Sequence, residues 1–165
     1  MAYEVKLNPC AAVPGQEAVP HSAVYHPVNV ITDGSLGAGE FAFLAEGHEA
    51  KGAFDPVVVA NKGKGAPLGL VPRAIVAGID PLGDPAKYNV GQEIGIARRG
   101  DFFIAATGKA TVGQAVLCNP ADGKVTFGKV GAANDTGWVV MTAAEKEGDL
   151  IVISNRGIDI APKSE

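Results

Sequence analysis

The sequence predicts an all-β protein, a small barrel or jelly-roll-like sandwich of about ten short strands with an extended N-terminal arm. Three observations point there. Among 165 residues, 22 are glycine and 11 proline, set between short valine- and alanine-rich runs, which favours strands joined by tight turns over helices. Apolar residues recur at period two rather than at a helical period. Two stretches also repeat one design: Val90-Gly91-Gln92-Glu93-Ile94 leads to Phe102-Phe103-Ile104 past Gly100, and Val112-Gly113-Gln114-Ala115-Val116 leads to Val125-Thr126-Phe127 past Gly123. Each enters with Val-Gly-Gln, alternates, meets a glycine that tolerates positive φ, and alternates again. Both are therefore predicted to be β-hairpins, and together the scaffold of the body.

Taken in order, residues 1–27 form the arm and residues 28–165 the body of a single domain. Pro9, Pro14, Pro20 and Pro27 punctuate the arm; proline fixes φ and removes a donor, which excludes a helix or a central strand. Yet Tyr3, Val5 and Leu7 alternate with Glu4 and Lys6, and Val24-Tyr25 is apolar, more than a solvated linker carries. Two readings stand: an arm laid on a neighbouring protein, or a segment wrapped round its own barrel. Residues 28–32 begin the body as a strand. The loop Gly34-Ser35-Leu36-Gly37-Ala38-Gly39 lacks a terminal Gly-Lys-Ser/Thr and no helix follows it, so it reads as a flexible turn rather than a phosphate cradle.

Residues 41–45 and 57–60 are predicted strands, and residues 68–77 one or two more, broken at Pro72-Arg73. Asp80-Pro81 and Asp84-Pro85 make residues 80–88 a rigid, exposed loop. After the two hairpins, residues 136–142 form a strand around Trp138, which its valine neighbours mark as core rather than a sugar platform. Thr142-Ala143-Ala144-Glu145 matches a capping box, but Gly148 limits it to one helical turn. Residues 150–153 close the sheet.

Fourteen basic and 18 acidic residues leave a net charge of −4, spread along the chain, so no nucleic-acid partner is expected. No apolar run approaches the roughly 18 residues of a membrane span, and no membrane partner is expected. Residues 1–5 show no signal peptide, and synthesis in a cytoplasm is expected. Cys10 and Cys118 leave a disulfide open; two buried or idle thiols in a reducing compartment is the favoured reading.

Catalytic patterns are scarce. His21, His26 and His48 match no metal-ligand spacing, and no Gly-x-Ser-x-Gly elbow occurs. Glu46, His48 and Glu49 could imitate a metal cluster, which leaves a small metal-dependent β-barrel enzyme or ligand-binding module as the alternative. Asp33, Asp101, Asp122 and Asp149 are predicted to sit in turns, bonding locally. Arg99-Gly100-Asp101 reads as the turn of the first hairpin. One of Phe102 and Phe103 must face outward, and beside Arg98-Arg99 it reads as a subunit contact.

Across residues 91–157 the chain resembles the small β-barrel decoration, or cement, proteins of tailed-bacteriophage capsids. The resemblance is carried by Val90-Gly91-Gln92-Glu93-Ile94, Arg99-Gly100-Asp101-Phe102-Phe103-Ile104, Val112-Gly113-Gln114-Ala115-Val116, Asn119-Pro120-Ala121-Asp122-Gly123-Lys124-Val125-Thr126 and Glu147-Gly148-Asp149-Leu150-Ile151-Val152-Ile153. It implies a non-enzymatic virion protein without cofactor or metal, added to the capsid exterior and bridging neighbouring major capsid protein subunits. Such proteins act as homotrimers or, second, as dimers, gaining affinity through multivalency. The candidate contact residues are Tyr3, Val5, Leu7, Val24 and Tyr25 of the arm, Pro81, Leu82 and Tyr88 of the rigid loop, and Arg98, Arg99 and Phe103 of the first predicted hairpin.

Overall fold

Valine, isoleucine and phenylalanine at alternate positions form strands because branched and aromatic side chains pack well on a pleated surface. A computed structural model describes residues 12–47, 52, 55–73 and 87–155, and among them eleven strands and no helix occur. Six strands form one sheet: Val24–Tyr25 (β1), Val30–Thr32 (β2), Phe41–Leu44 (β3), Val57–Ala60 (β4), Gly69–Leu70 (β5) and Ala97–Arg99 (β6), in the order β1-β6-β5-β3-β4-β2. The other five are Asp101–Ala105 (β7), Ala115–Cys118 (β8), Val125–Gly128 (β9), Asp135–Val140 (β10) and Leu150–Ser154 (β11), in the order β7-β11-β10-β8-β9. Pairing is antiparallel throughout except between β2 and β4.

The main core lies between the sheets. Phe41, Phe43, Leu70 and Ala97 from the first meet Phe102, Ile104, Val116, Trp138, Ile151 and Ile153 from the second. Trp138 stands edge-on to Phe41 on one sheet and to Phe102 on the other, with ring centroids 6.3 and 5.9 Å apart, the geometry aromatic quadrupoles prefer. As predicted, it is core.

The six-stranded sheet is also covered on its other face, where Ala42, Val57 and Val59 pack with Val30, Leu36, Val71, Tyr88, Ile94 and Ile96. Burial of both faces explains the uninterrupted Phe41-Ala42-Phe43. It also corrects the reading of residues 34–39 as a flexible turn. Leu36 is fully buried, its carbonyl accepts from the Tyr88 amide at 2.9 Å, and the Gly39 amide donates to Val71 at 2.8 Å. That loop is a lid on the second core.

The first predicted hairpin does not form. β6 pairs with β1 and β5 in one sheet, whereas β7 pairs with β11 in the other. Gly100, at φ +137°, is the single residue between them. Hairpin loops need two or more residues, so one glycine cannot reverse the chain; it bends a continuous strand from sheet to sheet. Arg99-Gly100-Asp101 is accordingly this crossing and not a turn, and Asp101 is 7% exposed inside β7 rather than at a loop tip. Residues 91–94 instead run along the edge of β2, where Thr32 donates to Gln92 and Ile94 to Val30. The second hairpin forms as predicted, with β8 and β9 in register from Ala115↔Gly128 to Cys118↔Val125. No helical turn develops at residues 142–145; the Thr142 hydroxyl accepts from the Val152 amide, and Ala144 bridges Ala110.

Residues 12–27 lie on the body. Gly15 and Ala18 donate to the carbonyls of Phe103 and Asp101, Phe103 donates to Gln16, and Arg73 donates to Gly15. This segment thereby occupies the outer edge of β7 and ties it to the residues after β5. Its last part, β1, continues the six-stranded sheet beside β6.

Candidate interaction surface

Three of the described carboxylates that could carry chemistry, Asp33, Asp122 and Asp149, are engaged in holding turns. Asp33 Oδ1 accepts from the amide and hydroxyl of Ser35, and Asp122 Oδ1 from the Lys124 amide. The amides of Glu145 and Lys146 donate to Asp149, which holds that carboxyl below the usual aspartate range. Burial, followed by the charge of Asp122, pushes the Cys118 thiol up to about 12, so it stays protonated and unreactive near neutrality. Cys10 lies outside the described residues.

Glu46 is fully exposed and ion-paired to Lys64, whose hydrogen bond lowers its carboxyl from the ordinary value. It borders an open cleft of about 660 Å³ between the 44–47 and 60–64 loops and the β8–β9 turn. His48 and Glu49 lie outside the described residues, and among the described residues no three metal-ligating side chains gather.

The sheet edges differ in what covers them. β2 is bordered by residues 91–94 and β7 by residues 15–18. β1 and β9 are the outermost strands at the two remaining ends, although at β9 the Thr107 hydroxyl donates to the Val125 carbonyl at 2.6 Å. On β1, Val24 and Tyr25 are 54% and 47% exposed. Arg98 and Arg99 of the adjoining β6 are exposed as well, and neither forms an ion pair among the described residues. The structure therefore brings four of the predicted contact residues together.

Phe103 is half-buried, with Gly15 and Gln16 bonded along its backbone. Tyr88, expected on an exposed loop, is 6% exposed, and its hydroxyl donates to the Pro72 carbonyl at 2.8 Å. It belongs to the second core because residues 87–96 fold back over the sheet. Tyr3, Val5, Leu7, Pro81 and Leu82 lie outside the described residues.

Sequence reasoning missed a second exposed apolar group. The registers of β8 with β9 and β10 set Val112, Val130 and Met141 at one end of the five-stranded sheet, all exposed. Their signal was an apolar residue directly beside a glycine turn, in Val112-Gly113 and Val130-Gly131.

The described residues thus form a two-sheet, all-β body with an exposed apolar and cationic edge at β1 and β6. Residues 2–155 match the family described as the XM1 gp53 minor capsid protein, and the chain belongs to that family. It is thus a phage minor capsid protein, a structural component of the virion. Its fold is similar to a chain in the solved structure titled "The capsid of Myoviridae Phage XM1", with a TM-score of 0.57 and 16% sequence identity. The likeness covers 94% of this chain and 96% of that one. None of the curated proteins matches the chain.

Proposed function

We propose that the protein is a non-enzymatic cement subunit that binds the outer surface of a phage capsid and bridges neighbouring major capsid subunits. The observation that carries this reading is the β1–β6 edge, where Val24, Tyr25, Arg98 and Arg99 stand together in solvent. An open strand edge flanked by apolar and cationic side chains supports attachment to another protein. Membership of a minor capsid protein family supports a partner within the virion. The remaining contacts in this reading come from Tyr3, Val5 and Leu7, from Pro81 and Leu82, and from Phe103, within a homotrimer or, second, a dimer. Each copy engages a different capsid subunit, so individually weak contacts add as avidity.

The test is to add purified protein to particles lacking it, counting bound copies and measuring the temperature at which heads rupture. Bound copies and a raised rupture temperature are expected. Deleting residues 2–11, which carry Tyr3, Val5 and Leu7, should reduce the number of bound copies. Particles that acquire no copies and no heat resistance from the intact protein would overturn the proposal.

A further inference from the structure

We propose that the open edge of β1 is a strand-addition site for an extended, acidic segment of a capsid subunit, with Arg98 and Arg99 taking its carboxylates. This inference rests on the cement reading above and names the chemistry of its partner. Three features of the edge support it.

The first is backbone geometry. β1 ends the six-stranded sheet, bordered on one side by β6 and, among the described residues, by no strand on the other. Unused amides and carbonyls on an outermost strand pair readily with a further strand. The same chain covers the corresponding edges of β2 and β7 with its own residues, so those positions are filled.

The second is a preset aromatic anchor. A Cβ added to Gly95 would lie 3.3 Å from two atoms of the Tyr25 ring, so the ring rests directly over that glycine. The phenol donates to Glu17 Oε1 at 3.2 Å. The side chain is thus contacted along one ring edge and at its hydroxyl yet remains 47% exposed. An aromatic side chain with little freedom left to lose is the type of residue that anchors an interface.

The third is charge. The chain carries −4 overall, yet two adjacent exposed arginines flank this edge, with Val24 opposite Arg99 in the ladder. Guanidinium groups bind carboxylates in bidentate fashion. An incoming segment with acidic residues near alternate apolar ones would satisfy the arginines and cover Val24 and Tyr25 together.

The experiment uses particles lacking the protein and compares wild type with the double variants Arg98→Glu/Arg99→Glu and Arg98→Gln/Arg99→Gln. Both substitutions fall on exposed side chains, and unchanged Trp138 emission confirms the fold of each. Bound copies per particle are counted at low and high NaCl. Wild type should saturate the particles and weaken with salt. The glutamine variant should bind about tenfold more weakly at low salt with a flattened salt dependence, and the glutamate variant more weakly still. Wild-type-like binding by both variants would overturn the inference while leaving the cement reading intact. A wild type that never binds would sink that reading, and this inference with it. Loss of self-association by the variants in light scattering would place a second copy at the edge, which also overturns the proposal.

Discussion

Residues 90–105 and 112–128 carry nearly the same sequence pattern and end in different structures. In the second, six residues separate β8 from β9, and the chain reverses. The Asn119 amide donates to Lys124 at 3.0 Å and the Gly123 amide to Asn119 at 2.7 Å, while Asp122 holds the Lys124 amide. In the first, Gly100 alone separates β6 from β7, and the strand passes from one sheet to the other. What differs is the number of residues available to turn, not the hydrophobic alternation. A glycine inside an alternating run marks either a reversal or a bend, and loop length decides which.

The largest expected effect comes from the first core residue beyond the bend. Phe102 is fully buried and meets Trp138 edge-on, so Phe102→Ala should cost about 3–5 kcal/mol in denaturant unfolding. A loss below about 1 kcal/mol would show that the crossing does not anchor the two sheets.

An intermediate effect is expected at the two glycines. A Cβ at Gly100 would lie 2.8 Å from the Phe102 ring and 3.1 Å from the Ala23 Cα; at Gly123 it would lie 2.2 Å from the Asn61 carbonyl oxygen. Both φ values, +137° and +70°, also disfavour a side chain. Gly100→Ala and Gly123→Ala should each lose about 1–3 kcal/mol. The Gly100 change should be the larger because its strain enters the core, whereas Gly123 presses on a loop. Thermal midpoints in the opposite order would break that distinction.

The smallest effect belongs to the turn itself. Asp122→Ala removes one exposed side-chain bond to the Lys124 amide and should cost about 1 kcal/mol or less. Hydrogen exchange should quicken at Lys124 while staying unchanged in β7. Equal quickening in both would mean that the two stretches unfold as one unit.

Much of the architecture was legible because period-two alternation reports burial on one face of a strand. The all-β class, the strands around Phe41, Val57, Trp138 and Ile151 and the second hairpin all followed from that period and from turn chemistry. The candidate surface was legible in part. Val24, Tyr25, Arg98 and Arg99 stand out in the sequence by apolar or charged character alone, and they converge only because β1 pairs with β6. Tyr88 was misplaced because proline and aspartate in the preceding loop signal exposure, while nothing local reveals that residues 87–96 return over the sheet.

By itself, then, the sequence determined the strand-forming runs and the glycine positions, since these depend on neighbours a few residues away. Only the tertiary structure decided which sheet each strand joins, which edges the chain covers with its own backbone, and that β1 is outermost among the described strands of its sheet. Those outcomes depend on pairing between residues as distant as Val24 and Arg99, where long-range packing and loop closure, not local propensity, select the partner.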